Sequence, residues 1–500
     1  MLNISDTQTR CQDIWPIHPK NERGDSRSTT GDCLMTQLVE VREAATTQAF
    51  CHREQCAGVD RQHMLRELPR GMHSMAFQDM IEVGEGWVRS VTPMQKDDAN
   101  PFTGVDAGYP SVVRRPDGAW QMWCHDRYWE SDDGHKWQAP RLGLHEVNGS
   151  KRNNVVFHEV AEWDPCLDRS VPPHMPAITW DAGASSDDMR YRAFGMFLVA
   201  PGSGHLSTYA SADGIRWRVL KDKAIIVRND SQHRGFRDPI NNRWRVYHRP
   251  GWNARMISMS ESKDADGLDF SKAHPSLEPD VYDKLRTLEH YAISVFPYDG
   301  GYIGFLKMYE KRWDSRRCWL ELVVSRDGFN WQRLPDRTPI LPLGGDGAWD
   351  AYCHSPGHSL VEVEGGHWFY YDAWNTAHIG LIKANGNVGV GRAFLPRRRL
   401  MTCTATARRS WMRSHAMLLN GRELRVDADA SNGELRASLQ RFDGTTPEGF
   451  GADDCTPLTI ACMEAPLRFT GGNLSQFAGQ PLRIILEATK GVKLDAIGLV

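Results

Sequence analysis

Three segments of the chain, SDDGHKW (131–137), SADGIRW (211–217) and SRDGFNW (325–331), repeat the pattern Ser-x-Asp-Gly-x-x-Trp. No other feature restricts the fold as much, because a motif recurring at intervals of tens of residues marks a repeat architecture. Asp-Gly reads as a tight hairpin turn. Glycine takes the positive φ that a primed turn needs, the serine hydroxyl can bond the turn backbone, and the Trp opens the next strand. A degenerate copy, SKDADGLDF (262–270), falls between the second and third. The four starts at 131, 211, 262 and 325 are 80, 51 and 63 residues apart, each step one four-stranded propeller blade plus insertions.

A second repeated feature counts the blades independently: an apolar strand, a tight turn, then a strand rich in aromatics. It occurs as YPSVVRR-PDG-AWQMWCH (109–125), MPAITW with RYRAFGMFLV (175–180, 190–199), DPI-NN-RWRVYHR (238–249), YAISVFPY-DGG-YIGFLKMY (291–309) and HSLVEV-EGG-HWFYYDAW (358–374). An all-β, five-bladed propeller over residues 87–395 is expected, with blade limits near 150, 223, 276 and 341. Beyond PRRRL (396–400) the pattern changes. ELRVDADASNGELRASLQ (423–440) alternates around an Asn-Gly turn, and LRFTG (467–471) and LRIILEA (482–488) add strands, so a separate β-sandwich is expected over 396–500.

Composition agrees with this division. Five hundred residues exceed one ordinary core. Sixty Lys and Arg against 63 Asp and Glu leave a net charge of −3 with no block of one sign, which argues against nucleic acid or an anionic membrane as partner. No apolar run is long enough to span a bilayer. Eighteen Trp, 44 Gly and 27 Pro suit a turn-rich β fold with aromatic surfaces. The 11 Cys include no CxxC pair or short Cys/His ligand set, so free thiols and no metal site are expected. Residues 1–86 are polar and poor in β-branched runs, and read as a poorly ordered extension. The first thirty residues hold no apolar signal segment, which makes cytoplasmic residence the default expectation.

NPFTG with GYPSVV, WQAPRLGLHEVNGSKRNNVVF (137–157), the Ser-x-Asp-Gly-x-x-Trp motif and HIGLIKANG (378–386) together resemble the five-bladed propeller glycoside hydrolases. That group includes the invertases and fructanases of family 32 and the arabinanases and xylosidases of family 43. The resemblance spans residues 87–500 and implies a glycoside hydrolase acting on an oligo- or polysaccharide. In a propeller the innermost strands begin beside the central axis, so residues at their starts converge on one pocket. Glycoside hydrolysis needs a proton-donating acid and a carboxylate acting as nucleophile or base, often with a third acid that tunes them.

The resemblance implies Asp106 as nucleophile or base, Glu289 as general acid and Asp238 as stabiliser, since Arg237-Asp238-Pro239 resembles the invertases' Arg-Asp-Pro motif. Asp350 is a fourth acid before a strand. Glu289 is followed by His290-Tyr291 rather than the relatives' usual residues, which leaves Asp280 or Asp283 as the alternative acid. Arg237, His248, Arg249, Arg255, His290, Asp350, His354 and Trp374 would hold a carbohydrate by stacking and charged hydrogen bonds. Arg249 and Arg255 also suit an acidic or sulfated sugar. No cofactor is expected, and the oligomeric state is open. Two other readings stand beside this one: a glycan-binding propeller without catalysis, and a glycoside phosphorylase with His248, Arg249 and Arg255 as its phosphate site.

Overall fold

The computed structural model describes residues 66–500 apart from 69, 107, 159–161, 165–168, 172, 201–202, 221–223, 251–254, 313–314, 335 and 379–387. The expected extension over 1–65 and most of HIGLIKANG therefore lie outside the described residues. The described chain is almost wholly β. Its one α-helix among the described residues, Val281–Leu285, is capped by Asp280. Among the described residues no helix is long and apolar enough to cross a membrane.

Between residues 111 and 396 the strands run as antiparallel meanders. Ser111–Arg114, Trp120–Cys124 and Arg127–Ser131 form a three-stranded sheet. His174–Trp180, Tyr191–Ala200 and Ser203–Ser211 form a second meander, which joins Ile226–Asp238, Arg243–Pro250, Ile257–Glu261 and His274–Leu277 through Gly204 beside Asn229. Leu288–Tyr298, Gly301–Glu310 and Cys318–Ser325 join Cys353–Val363, Gly366–Trp374 and Val388–Pro396 through a parallel contact, Cys318 beside Cys353. The last partner in that sheet is Gln95–Lys96, which pairs Lys96 with Ala393. An upstream strand thus completes the sheet built last.

The first strands of these meanders contact one another in order. Ser111–Arg114 meets His174–Trp180, which meets Ile226–Asp238, then Leu288–Tyr298, then Cys353–Val363, and this last strand meets Ser111–Arg114 again. The succession closes into a ring. Side-chain bonds reinforce it: Ser111 Oγ accepts from Ile178 N at 3.0 Å, and Ser359 Oγ accepts from Val112 N at 2.7 Å.

The repeated motif fastens this ring from outside. Ser131, Ser211 and Ser325 each accept the N–H of the motif glycine at 2.9 Å, while Asp133, Asp213 and Asp327 accept the next two backbone N–H groups. The result is a wide side-chain-bonded loop rather than the two-residue hairpin the sequence suggested. Its glycine carbonyl docks on the preceding sheet. Gly214 O accepts from Trp123 Nε1 at 2.7 Å, Gly328 O from Tyr247 Oη at 2.9 Å, and Gly134 O from Tyr370 Oη at 2.8 Å, in the last sheet of the ring.

Residues 401–499 form strands of two six-stranded sheets whose buried faces share one core, including Leu424, Val426, Leu439, Ile484, Leu486, Leu494 and Leu499. Their alternation is legible in Pro481–Ala488, where every second residue is buried. Arg66–Leu68 and Ile81–Glu85 pair into one sheet, and Gly71–Ser74 and Trp87–Val91 into the other. The expected extension to residue 86 is corrected here: from 66 onward the chain supplies strands to these sheets. Ile81–Glu85 and Trp87–Val91 are edge strands with mostly exposed side chains, so they carry no alternation to read.

Candidate functional site

In an antiparallel hairpin the start of one strand lies beside the end of the next. The ring therefore gathers first-strand starts and second-strand ends at one end. Asp230 sits opposite Arg249, Ala292 opposite Lys307, and Ser355 opposite Asp372. Tyr109 precedes the strand Ser111–Arg114 in a left-handed conformation, φ 53°, a strained setting for a large side chain. These residues meet across strands. Arg249 donates to the Tyr291 carbonyl at 3.0 Å and to Asp230, with its guanidinium 4.3 Å from the Tyr291 ring centre.

Lys307 is wholly buried and donates to Ser355 Oγ. Its ammonium lies 4.6 Å from the centre of the Tyr291 ring, 5.1 Å from Trp374 and 5.8 Å from Tyr109. His378 closes this side, bonding Tyr291 Oη at 2.9 Å and stacking on Trp374 at 5.8 Å. Asp372, opposite Ser355, is near enough to feel the Lys307 charge. Burial pushes its carboxyl up to about 7, against the opposing pull of Lys307 and the Tyr109 backbone, and its Oδ1 has no hydrogen-bond partner.

Glu289 behaves in the opposite way. It accepts from Arg255 and, at 3.0 Å, from Lys311. Burial raises its pKa, but these two bonds and charges outweigh burial and hold the carboxyl below the usual range. An acid so paired stays ionised, contrary to the proton-donor role expected of it. Asp106 is half-exposed and bridges Arg127 at 3.2 Å. It lies near enough to bear on Cys124 and His125, and Cys124 also feels Asp372.

Asp238 requires a correction. Its strand begins at Ile226, and Asp238 ends that strand instead of opening it. Fully buried at the opposite end of the ring, it accepts from Tyr302 Oη at 2.7 Å and Asn241 Nδ2 at 2.8 Å, beside Arg245 at 3.3 Å. Arg237 stays with it, donating to Asn242 and to the Gly183 carbonyl. His290 faces into its own sheet, 3.2 Å from Asp283, which also takes Arg333. Asp283, the alternative acid, is thus pulled well below its usual range despite the opposing effect of burial. Asp280 caps the helix and pairs with Arg337.

Asp350 binds Lys96 at 2.6 Å and neighbours His354, which bonds the Asp350 carbonyl at 3.1 Å. His248 bonds Ser260 at 3.1 Å, and burial lowers it to about 3. Of the expected residues, Arg249, Arg255, Glu289 and Trp374 come together, and Asp230, Tyr109, Tyr291, Lys307, Asp372 and His378 join them unannounced. Two carried a usable signal: Lys307 in YIGFLKMY and Asp372 in HWFYYDAW are single charges inside aromatic strands. Among the described residues no group of His, Cys, Asp and Glu could hold a metal ion.

No family model and no curated protein matches the chain. Solved structures do. A family-43 endo-arabinanase from Bacillus licheniformis is 14% identical, with a TM-score of 0.40 over 60% of this chain and 96% of that one. An N-acetylgalactosamine deacetylase from F. plautii, solved with blood group B trisaccharide, is 14% identical, with a TM-score of 0.41 over 62% and 96%. A thermostable family-43 glycoside hydrolase is 14% identical, with a TM-score of 0.43 over 60% and 92%.

Proposed function

We propose that the ring is a five-bladed β-propeller, that the paired six-stranded sheets are a β-sandwich packed on it, and that the chain is a glycan-acting hydrolase. The closed succession of first strands, with Gln95–Lys96 fastening the last sheet, supports the architecture. One observation carries the function. At one end of the ring, burial holds the Asp372 carboxyl near neutrality at about 7, and half-exposed Asp106 lies close enough that both carboxyls bear on Cys124. A buried carboxyl that keeps its proton beside a more exposed carboxyl is what paired acid and base chemistry on a glycosidic bond uses.

In this reading Asp372 gives its proton to the leaving glycosidic oxygen. Asp106, bridged to Arg127, is the partner that attacks the anomeric carbon or activates water. Glu289 and Asp230 hold Arg255 and Arg249 in place for sugar hydroxyls, and Tyr109, Tyr291 and Trp374 supply aromatic faces. The second reading, glycan binding without turnover, is favoured by the ion-paired state of Glu289, the acid the sequence singled out.

The test is a panel of nitrophenyl glycosides and plant oligosaccharides, with and without phosphate, against wild type, Asp372→Asn, Asp106→Asn and Glu289→Gln. The first two variants should lose about 10²–10⁴-fold in kcat. Glu289→Gln should mainly raise KM. Turnover that survives Asp372→Asn and vanishes in Glu289→Gln would return the acid role to Glu289. Binding of a glycan by wild type without turnover would establish the second reading, and phosphate-dependent cleavage would indicate a phosphorylase.

A further inference from the structure

Deeper in the ring lies a second group that the proposed chemistry does not use. Gln232 Nε2 donates to the Pro356 carbonyl, so Ile226–Asp238 and Cys353–Val363, which are not successive in the ring, are bonded to each other. Two residues further along each strand stand Arg234 and His358, which are 6% and 1% exposed. A guanidinium keeps its charge in proteins, and a buried charge calls for an opposite one. Among the described residues no carboxylate pairs with Arg234. It donates to the carbonyl of neighbouring Gly235, and its guanidinium lies 5.2 Å and 5.7 Å from the ring centres of Phe236 and Phe296.

Its Nε–H has no hydrogen-bond partner, and neither ring nitrogen of His358 has one. Native interiors rarely leave such donors unmet. The His358 ring is close enough to feel the Arg234 charge, which adds to burial in pushing it well below its usual range. A neutral imidazole still offers one N–H.

We infer that Arg234 and His358 bind a small inorganic monoanion, a halide, inside the ring. A buried guanidinium supplies the charge, and one guanidinium N–H and one imidazole N–H supply the donors. Two donors and a single positive charge suit a monatomic anion better than phosphate, whose several oxygens and greater charge demand more. The ion would tie the two strands together by contacts their own side chains do not make.

The experiment uses the full chain. Crystals grown without chloride are soaked in sodium bromide, and anomalous scattering at the bromine edge is mapped. One buried peak in hydrogen-bond contact with Arg234 Nε and a His358 nitrogen is expected. In solution, Tm should rise by about 2 °C and saturate with bromide, but not with sodium gluconate at equal ionic strength. Arg234→Met and His358→Phe should each abolish that difference. Ordered water at the position, a protein carboxylate there, or identical responses to bromide and gluconate would each overturn the assignment, and the wild-type map decides even where a variant fails to fold.

Discussion

Asp372 and Asp238 illustrate how burial gives one residue type opposite meanings. Asp372 keeps its proton because burial outweighs Lys307, so its folded pKa of about 7 stands above the unfolded value of roughly 3.9. The folded state then binds more protons than the unfolded one between these values. This contribution to stability is greatest below about pH 4, falls as pH rises to about 7, and is constant above. Asp372→Asn should therefore make the slope of Tm against pH more positive than in wild type over that interval, measured by thermal melts from pH 4 to 8. An unchanged slope would mean that other groups, such as Asp299, raised to about 6, set it. Asp238 is held by Tyr302, Asn241 and Arg245, and removing one member of a buried charged network costs about 3–5 kcal/mol. Asp238→Ala should lose about that much in urea unfolding while kcat/KM of the folded fraction stays within twofold. A selective loss of kcat would restore the catalytic role first expected of it.

At the scale of elements, the fastening loops explain why the repeat retains serine, aspartate and glycine. A Cβ on Gly214 would come within 2.5 Å of Trp123, and on Gly328 within 2.4 Å of Arg245, at φ values of +76° and +80°. Position and conformation both disfavour a side chain there. Gly214→Ala should destabilise by about 2 kcal/mol or more through strain and overpacking. Ser211→Ala removes the acceptor of the Gly214 N–H and should cost about 1 kcal/mol. Chemical denaturation checks both, and equal small effects would mean that the loop does not bear on sheet contact. The motif was legible because its residues are local to one another. Its docking partners were not, since Trp123 lies some 90 positions away from the Gly214 carbonyl it meets.

At the scale of the molecule, one N-terminal stretch serves both halves. Strands within 66–91 complete the two six-stranded sheets, and Gln95–Lys96 completes the ring. Between the halves, Arg326 pairs with Asp79 at 3.1 Å and lies over Phe77, while Arg398 binds Asp427 and Glu464. A chain beginning at residue 97 would expose strand edges in both halves and should fail to melt cooperatively, as read by calorimetry. A cooperative transition at the wild-type Tm would show these strands to be dispensable.

The β class, the positions of the recurring Asp-Gly loops and the alternating strands beyond residue 400 were determined by the sequence alone, because turn chemistry and period-two burial act over a few neighbouring residues. Aromatic strands and Asp-Gly loops needed no partner to be recognised. Which carboxyls meet was decided only by the tertiary structure. Asp238 looked like the start of a strand because a polar stretch, NDSQHRGFR, precedes it, yet those residues form the strand, and its start brings Asp230 to Arg249. Glu289 looked like an acid until Arg255 and Lys311 arrived from other strands and loops. Protonation depends on burial and on charges a few ångströms away, and ring closure sets those distances between residues far apart in the chain.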